Sequence, residues 1–293
     1  MQFLWVTLLG VLPVLKTHFL SVSAFTVGEF LFGVDRKQPL RQYLLNFEYN
    51  VLFFLLTPFA IILPSALAAT AARKLGTGLF NIDLPNWSHH ALGMQWPVRN
   101  LLLPLIPLLI FDCFYYWHHR LQHVVPALWP IHKLHHTIEN LNALAAYRVH
   151  WLEIPMRVFT ITIPMAFLFN ITPVEDAWVA FLVVQLSLFI HANLRLPLGF
   201  LTPVLMGPQL HRLHHSVEPE HQNMNYAAFF PIWDILFGTY IRPKRREWPA
   251  TGIYDREPLG NVFREMVYPF IAWRRATTAL FGNRPQNIPV INK

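Results

Sequence analysis

Long apolar runs alternate along the chain with polar stretches crowded with histidine. The runs free of charge are residues 51–72, 101–111 with a partly polar extension to 117, 158–174 and 177–194. A helix crosses a bilayer with roughly 20 apolar residues; the longest run approaches that length and the others need their ends to complete a span. The pattern predicts about four transmembrane helices. Residues 1–32 are also apolar, but Lys16, His18 and Glu29 interrupt them, which fits a fifth span, a broken helix or an interfacial helix.

Composition agrees with this reading. Of the 293 residues 54% are hydrophobic and 13% charged, with a mean hydropathy of +0.34; a soluble domain has about 25% charged. A cleaved secretory signal is not expected, since the first positive charge, Lys16, lies beyond an apolar start. The single cysteine, Cys113, excludes an internal disulfide and a Cys-ligated zinc or iron-sulfur site. If the runs cross in turn, with a hairpin at 170–176, then 19 of the 23 Lys and Arg residues share one side. The positive-inside rule makes that side cytoplasmic. The net charge of +7 then suits anionic headgroups, and no nucleic-acid-binding motif accompanies it. No linker or low-complexity tract divides the chain. The expectation is one domain, 1–293, made of an N-terminal membrane region (1–100), a catalytic region (101–249) and a cytoplasmic tail (250–293).

The polar stretches carry the chemistry. HKLHH at 132–136 and HRLHH at 211–215 repeat one spacing, and fifteen histidines in 293 residues make two chance copies very rare. On a helix, positions i, i+3 and i+4 share a face, so His132, His135 and His136 point one way, as do His211, His214 and His215. His119 and His123 form a third one-faced pair, with Asp112, Tyr115 and Tyr116 one and two turns earlier. Neutral imidazole is the commonest metal ligand among side chains. Eight are too many for one tetrahedral ion and suit two ions sharing a cavity, so a dinuclear site is expected. His191, near the cytoplasmic end of its run, is expected to have a functional partner, because an unpaired polar group there is costly. His118 points about 100° away from His119 and reads as structural or as a support to the ligands. His18, His89 and His90 fall outside the pattern and read as structural.

Several chemistries are absent. There is no HExxH, G-x-S-x-G or P-loop, and no Glu-x-x-His pair of the kind soluble di-iron bundles use accompanies the histidine motifs. A metal-binding or metal-transport protein without oxygenase activity is the alternative, but transport would need ionisable residues in the middle of several spans, and these are nearly lacking.

At this point the residues resemble a known family. Asp112-x-x-x-Tyr116-Trp117-x-His119-Arg120-x-x-His123, His132-x-x-His135-His136 and His211-x-x-His214-His215, followed by Asn225-Tyr226 and Trp233-Asp234-x-x-Phe237-Gly238-Thr239, are similar to the signature of the fatty acid hydroxylase and sterol desaturase superfamily. The likeness covers about residues 101–249. It implies an all-α integral membrane protein with a cytoplasmic, histidine-rich helical cap holding two irons over a lipid-filled cavity. Carried across, the ligands are His119, His123, His132, His135, His136, His211, His214 and His215, with His191 a ninth. Asp112, His150 and Asn225 would stand behind them, and His221 would help to orient ligands or water. His150 falls in His150-Trp151-Leu152-Glu153, where members often have His-Pro-x-Glu; the missing proline is a departure. Arg195 stands where some hydroxylases have a further histidine.

The resemblance further implies an O2-dependent monooxygenase or desaturase in lipid biosynthesis, acting on a C–H bond of a sterol, fatty acyl chain or related membrane lipid, with O2 as co-substrate. Electrons would come from a separate cytochrome-like or ferredoxin-like donor with its reductase, since the chain has no dinucleotide fingerprint, haem domain or Cys cluster. The lack of an obvious C-terminal retention signal favours a bacterial inner membrane over the endoplasmic reticulum.

Overall fold

The structure is a computed structural model that describes residues 2–36, 38–57, 60, 63–84, 98–172, 177–253 and 261–281. His89 and His90 lie outside these residues. The described chain is dominated by helices: α1 (Gln2–Phe32), α2 (Leu40–Thr57), α3 (Leu63–Leu75), α4 (Leu105–Val124), α5 (Trp129–His136), α6 (Glu153–Arg157), α7 (Ile163–Leu168), α8 (Ala177–His191), α9 (Pro208–His214), α10 (Ile232–Leu236) and α11 (Val262–Phe281).

The expected spans differ from the observed helices. Among the described residues no helix is long and apolar enough to cross a membrane. The run 51–72 is divided between α2 and α3, and Pro64 sits in the first turn of α3, where its missing N–H is harmless. The run from 101 begins as a π turn, Val98–Leu102, and α4 then carries Asp112, His118, His119, Arg120 and His123 in its later turns. The run 158–174 leaves the helix after Leu168, because Phe169–Thr172 (β2) pairs in parallel with Phe80–Asp83 (β1), Phe80 opposite Phe169 and Ile82 opposite Ile171. Aromatic and β-branched residues suit such a ladder, and this small pair is the exception to an all-α reading. α8 has 15 residues, about 22 Å of helix against a hydrocarbon core of about 30 Å.

α4 is the central positioning element. Its buried positions Leu108, Asp112, Tyr116 and His119 recur every three or four residues along one face. Tyr116 packs with Ile190 of α8, Leu210 of α9, Met206 and the segment Tyr226–Ala227. Leu108 packs with Ala228 and Phe229. The two histidine words fold alike: α5 and α9 open with Pro130 and Pro208 in the first turn, where proline is tolerated. Helices this short do not persist alone. Tertiary burial holds them, through Ile131 and Leu134 in one and Leu210 and Leu213 in the other. Even the basic residue inside each word is buried and paired, Lys133 Nζ donating to Tyr268 Oη at 2.9 Å and Arg212 Nη1 to Asp35 Oδ2 at 3.0 Å.

The N-terminal helix is latched to this assembly by a carboxylate. Glu29 Oε1 accepts the backbone N–H groups of Ala143 and Asn193, each at 2.8 Å. Gly33 follows one turn later, where a Cβ would collide with the Glu29 carbonyl and the Asn193 side chain, so the close approach requires glycine.

Candidate metal centre

The nine histidines from three parts of the chain converge into two groups. His119, His123, His132, His136 and His214 form one, and His135, His191, His211 and His215 the other; within each, one nitrogen per residue lies within 4.8 Å of the rest. The groups adjoin, with ring centroids of His136 and His215 4.5 Å apart and those of His135 and His215 4.6 Å apart. Each word is split between them. The i, i+4 pair of a word enters one group and the remaining histidine the other: His132 and His136 against His135, and His211 and His215 against His214.

Hydrogen bonds at the outer ring nitrogens fix what the inner ones present. His119 Nδ1 donates to the Tyr226 carbonyl at 2.7 Å, His214 Nδ1 to that of Met224 at 2.8 Å, His191 Nδ1 to that of Ser187 at 2.8 Å and His135 Nδ1 to that of Arg148 at 3.3 Å. A carbonyl only accepts, so Nδ1 carries the proton and Nε2 of the neutral ring is a bare lone pair. His132 reaches the same state through Glu153, whose Oε1 accepts from its Nδ1 at 3.0 Å. The bare atoms face each other: Nε2 of His119 and His132 at 3.0 Å, and Nε2 of His191 and His135 at 3.2 Å. His211 Nε2 lies 3.0 Å from that of His191. Nε2 of His123 and of His214 is buried without any partner.

Protonating these rings would relieve the lone-pair opposition, but burial opposes it. Desolvation, reinforced for most of them by the neighbouring imidazoles, pushes the eight motif histidines well below their usual range, His214 to about 4. Converging neutral imidazoles with no carboxylate among them fit divalent first-row ions of the iron-to-zinc series.

A small cavity of about 30 Å³ opens on the centre. His119, His132, His135, His191 and His211 form part of its wall, and Tyr115, Ala146, Val149, Ile190, Ala227 and Ala228 supply apolar surface. Glu153 and Arg157 are the charged residues lining it.

The loop supplying two of the carbonyls is held by buried carboxylates. Asp112 Oδ1 accepts the N–H groups of Ala228 and Phe229 at 2.9 and 3.1 Å, and its Oδ2 that of Phe230 at 2.8 Å. Asp234 accepts those of Tyr226 and Ala227 at 2.7 and 2.9 Å. Burial pushes the Asp234 carboxyl up to about 6 and Glu153 to about 7. Asn225 sits between the two accepting carbonyls in a left-handed backbone conformation, φ 57°, and its side chain bonds both ways with Ile241, donating to its carbonyl at 3.1 Å and accepting from its N–H at 3.0 Å.

Asp112 and Asn225 thus act on the loop carrying Tyr226. His150 lies apart from both groups, donating through Nε2 to the Met266 carbonyl at 2.9 Å. His118 bonds Thr160 Oγ1 at 2.7 Å and His18 bonds Asn50 Oδ1 at 3.0 Å, both away from the centre. His221 contacts Ser216 Oγ at 2.9 Å, and Arg195 stacks on Trp248 at 5.4 Å. Glu153 was legible in the sequence only as the last residue of an incomplete His-Pro-x-Glu pattern. The carbonyl acceptors at 148, 187, 224 and 226 leave no side-chain signal at all.

Fold and centre define a helix-rich protein with two adjoining polyhistidine groups of metal-ligating character. Comparison with known proteins places this class more closely. Residues 104–239, a little under half of the chain, match the fatty acid hydroxylase family model, and relatives named as a lipid hydroxylase, a monooxygenase and a sterol desaturase are similar to it. An ornithine lipid hydroxylase of Rhizobium tropici is 27% identical over 76% of this chain and 66% of its own length. An alkylglycerol monooxygenase of Xenopus tropicalis is 33% identical over 46% of this chain and 30% of its own. A Delta(7)-sterol 5(6)-desaturase of Gibberella zeae is 34% identical over 47% of this chain and 37% of its own. The chain therefore spans less than two thirds of each of these relatives. No solved structure matches it.

Proposed function

We propose that the protein is an O2-dependent di-iron oxidoreductase that hydroxylates or desaturates a C–H bond of a membrane lipid. The observation that carries this reading is the set of opposed, proton-free Nε2 atoms in a buried pocket, which bound metal cations would reconcile. The nine histidines would hold two irons, five around one and four around the other. The chemistry such a pair supplies when bound is reductive activation of O2 and removal of hydrogen from an unactivated C–H bond.

The chain's own contribution is positional. Carbonyls of residues 148, 187, 224 and 226, together with Glu153, hold five Nδ1 protons outward and so aim five lone pairs inward. Tyr115, Val149 and Ile190 keep water from the face where an alkyl chain would lie. Large exposed apolar side chains, among them Phe30 at 82% and Phe159 at 70%, support a multi-pass protein set in lipid. The active site would face the cytoplasm, in a bacterial inner membrane, and draw electrons from a separate cytochrome-like or ferredoxin-like donor.

Two measurements on the full chain test this. Metal analysis of detergent-purified protein is expected to give about two irons per chain. Lipid analysis of a host with and without the gene is expected to reveal one lipid class that gains an oxygen atom or loses two hydrogens. An unchanged lipid profile together with altered metal uptake would overturn the oxygenase reading in favour of transport.

A further inference from the structure

The wall of the cavity beside the histidines carries a cation with one buried donor left without a partner. Arg157 lines the pocket, and its Nε is buried without a hydrogen-bond partner. Its guanidinium stacks on the Tyr115 ring at 5.6 Å and reaches Glu153 Oε2 at 3.5 Å, beyond good hydrogen-bond length. Glu153 is already committed through its other oxygen to His132. A guanidinium offers five donors in a planar fork and accepts nothing; the Arg157 side chain is 22% exposed, so solvent reaches part of the fork, but the buried Nε calls for an oxygen acceptor from outside the chain. The neighbouring wall residues Ala146, Val149 and Ala227 offer only hydrocarbon side chains.

We propose that Arg157 receives an oxygen acceptor of the lipid substrate, a carboxylate, phosphate or ester or amide carbonyl, and that the oxidised carbon lies close to that polar end. The inference rests on the oxygenase reading above and narrows its substrate. The position of Arg157 sets the regiochemistry: a single carboxylate, Glu153, contacts both the guanidinium and a ring of the metal-ligating type. A polar group seated on Arg157 therefore brings the carbons next to it, and not the far end of a long chain, to the histidine face.

The test uses full-length, iron-loaded protein in detergent and measures the binding of palmitate, methyl palmitate, hexadecyl phosphate and hexadecylamine by competition with a fluorescent fatty acid. The wild type is expected to bind at least one of the three oxygen-bearing probes about tenfold more tightly than the amine, and the arm that wins identifies the acceptor. Arg157→Gln is expected to abolish that preference while keeping its iron, and Arg157→Lys to retain part of it for the anionic probes. In host membranes the new hydroxyl or double bond, located by tandem mass spectrometry, is expected near the headgroup or acyl carbonyl. Equal preference in wild type and Arg157→Gln overturns the proposal, as does oxidation at the distal end of the chain. Loss of iron from Arg157→Gln in step with its probe binding also overturns it, leaving Arg157 a support for Glu153. A wild type that holds no iron but keeps the Arg157-dependent preference overturns the oxygenase reading and leaves the acceptor site standing.

Discussion

Replacing Asp112 separates a structural carboxylate from one that acts at the metals. In Asp112→Ala the N–H groups of Ala228, Phe229 and Phe230 lose their acceptor together. Each buried donor left unsatisfied costs roughly 1–3 kcal/mol, so the substitution costs about 3–9 kcal/mol. Domains are typically stable by roughly 5–15 kcal/mol, so the alanine variant should be barely folded or unfolded. Asp112→Asn keeps one oxygen for Ala228 and Phe229 but turns an NH2 group toward the Phe230 N–H. It should lose about one bond's worth, roughly 1–3 kcal/mol, and remain folded. Thermal unfolding followed by tryptophan fluorescence in detergent, with iron measured per folded chain, reads both quantities. An alanine variant within about 0.5 kcal/mol of wild type, yet stripped of iron, would refute the loop-holding role and return Asp112 to the metals.

Further outcomes follow from the same geometry. His211→Ala combined with His191→Ala removes ligands from one group and should leave about one iron; His211→Ala combined with His214→Ala damages both groups and should leave about none, so equal residual iron in the two doubles contradicts the split words. Asn225→Ala should destabilise the protein by about 2–3 kcal/mol, through its left-handed backbone and the lost bonds to Ile241, and weaken iron retention through the carbonyls on either side; chelator-challenge rates check this. Metal-free protein should lose stability as pH falls below about 6.5: the eight motif histidines stay neutral in the fold while the unfolded chain takes up protons, each contributing up to roughly 1.4 kcal/mol per pH unit. Glu153 and Asp234, whose pKa values are raised in the fold, act in the opposite sense below about 7 and 6. The buried histidines outnumber the buried carboxylates and so decide the direction, and a melting temperature that holds steady from pH 7 to about 5 contradicts it.

The convergence of the nine histidines is legible in the sequence because spacing encodes faces: i, i+3 and i+4 on α5 and α9 point inward, and His191 stands at the end of its apolar run. How each word divides was not legible. One-faced histidines suggest one ion per word, whereas the centre draws the i, i+4 pair to one group and sends the third ring to the other. Spacing along one helix cannot show this, since it depends on how two short helices approach each other. The apolar runs are a poorer guide to the helices. Hydrophobicity marks 51–72 and 158–174 as continuous, but a break between α2 and α3 and the pairing of β2 with β1 are set by tertiary partners. Asp112 illustrates a third limit: its place near the histidine face was readable, but acceptors bind donors that may lie anywhere, and its donors lie 116 to 118 residues away.

The non-histidine residues of the family-like signature acquire a common physical role. A centre built from neutral imidazoles depends on which ring nitrogen holds the proton, and here mostly backbone carbonyls decide that. Carbonyls can be relied on only if their loop is rigid. The loop from Met224 to Phe230 is fixed by Asn225 against Ile241, by Asp234 at Tyr226 and Ala227, and by Asp112 at the next three residues. A relay of hydrogen bonds closes the frame: Arg120 donates to Tyr116 at 2.9 Å, Tyr116 to Thr239 at 2.9 Å and Thr239 to Asp234 at 2.7 Å. Every side chain in that relay belongs to the motif quoted from the sequence, and none is a histidine of the two groups. Loss of activity after a substitution at Asp112, Tyr116, Asn225 or Asp234 therefore reports first on the tautomers of His119 and His214, and only iron content measured alongside turnover separates that from an effect on the reaction itself.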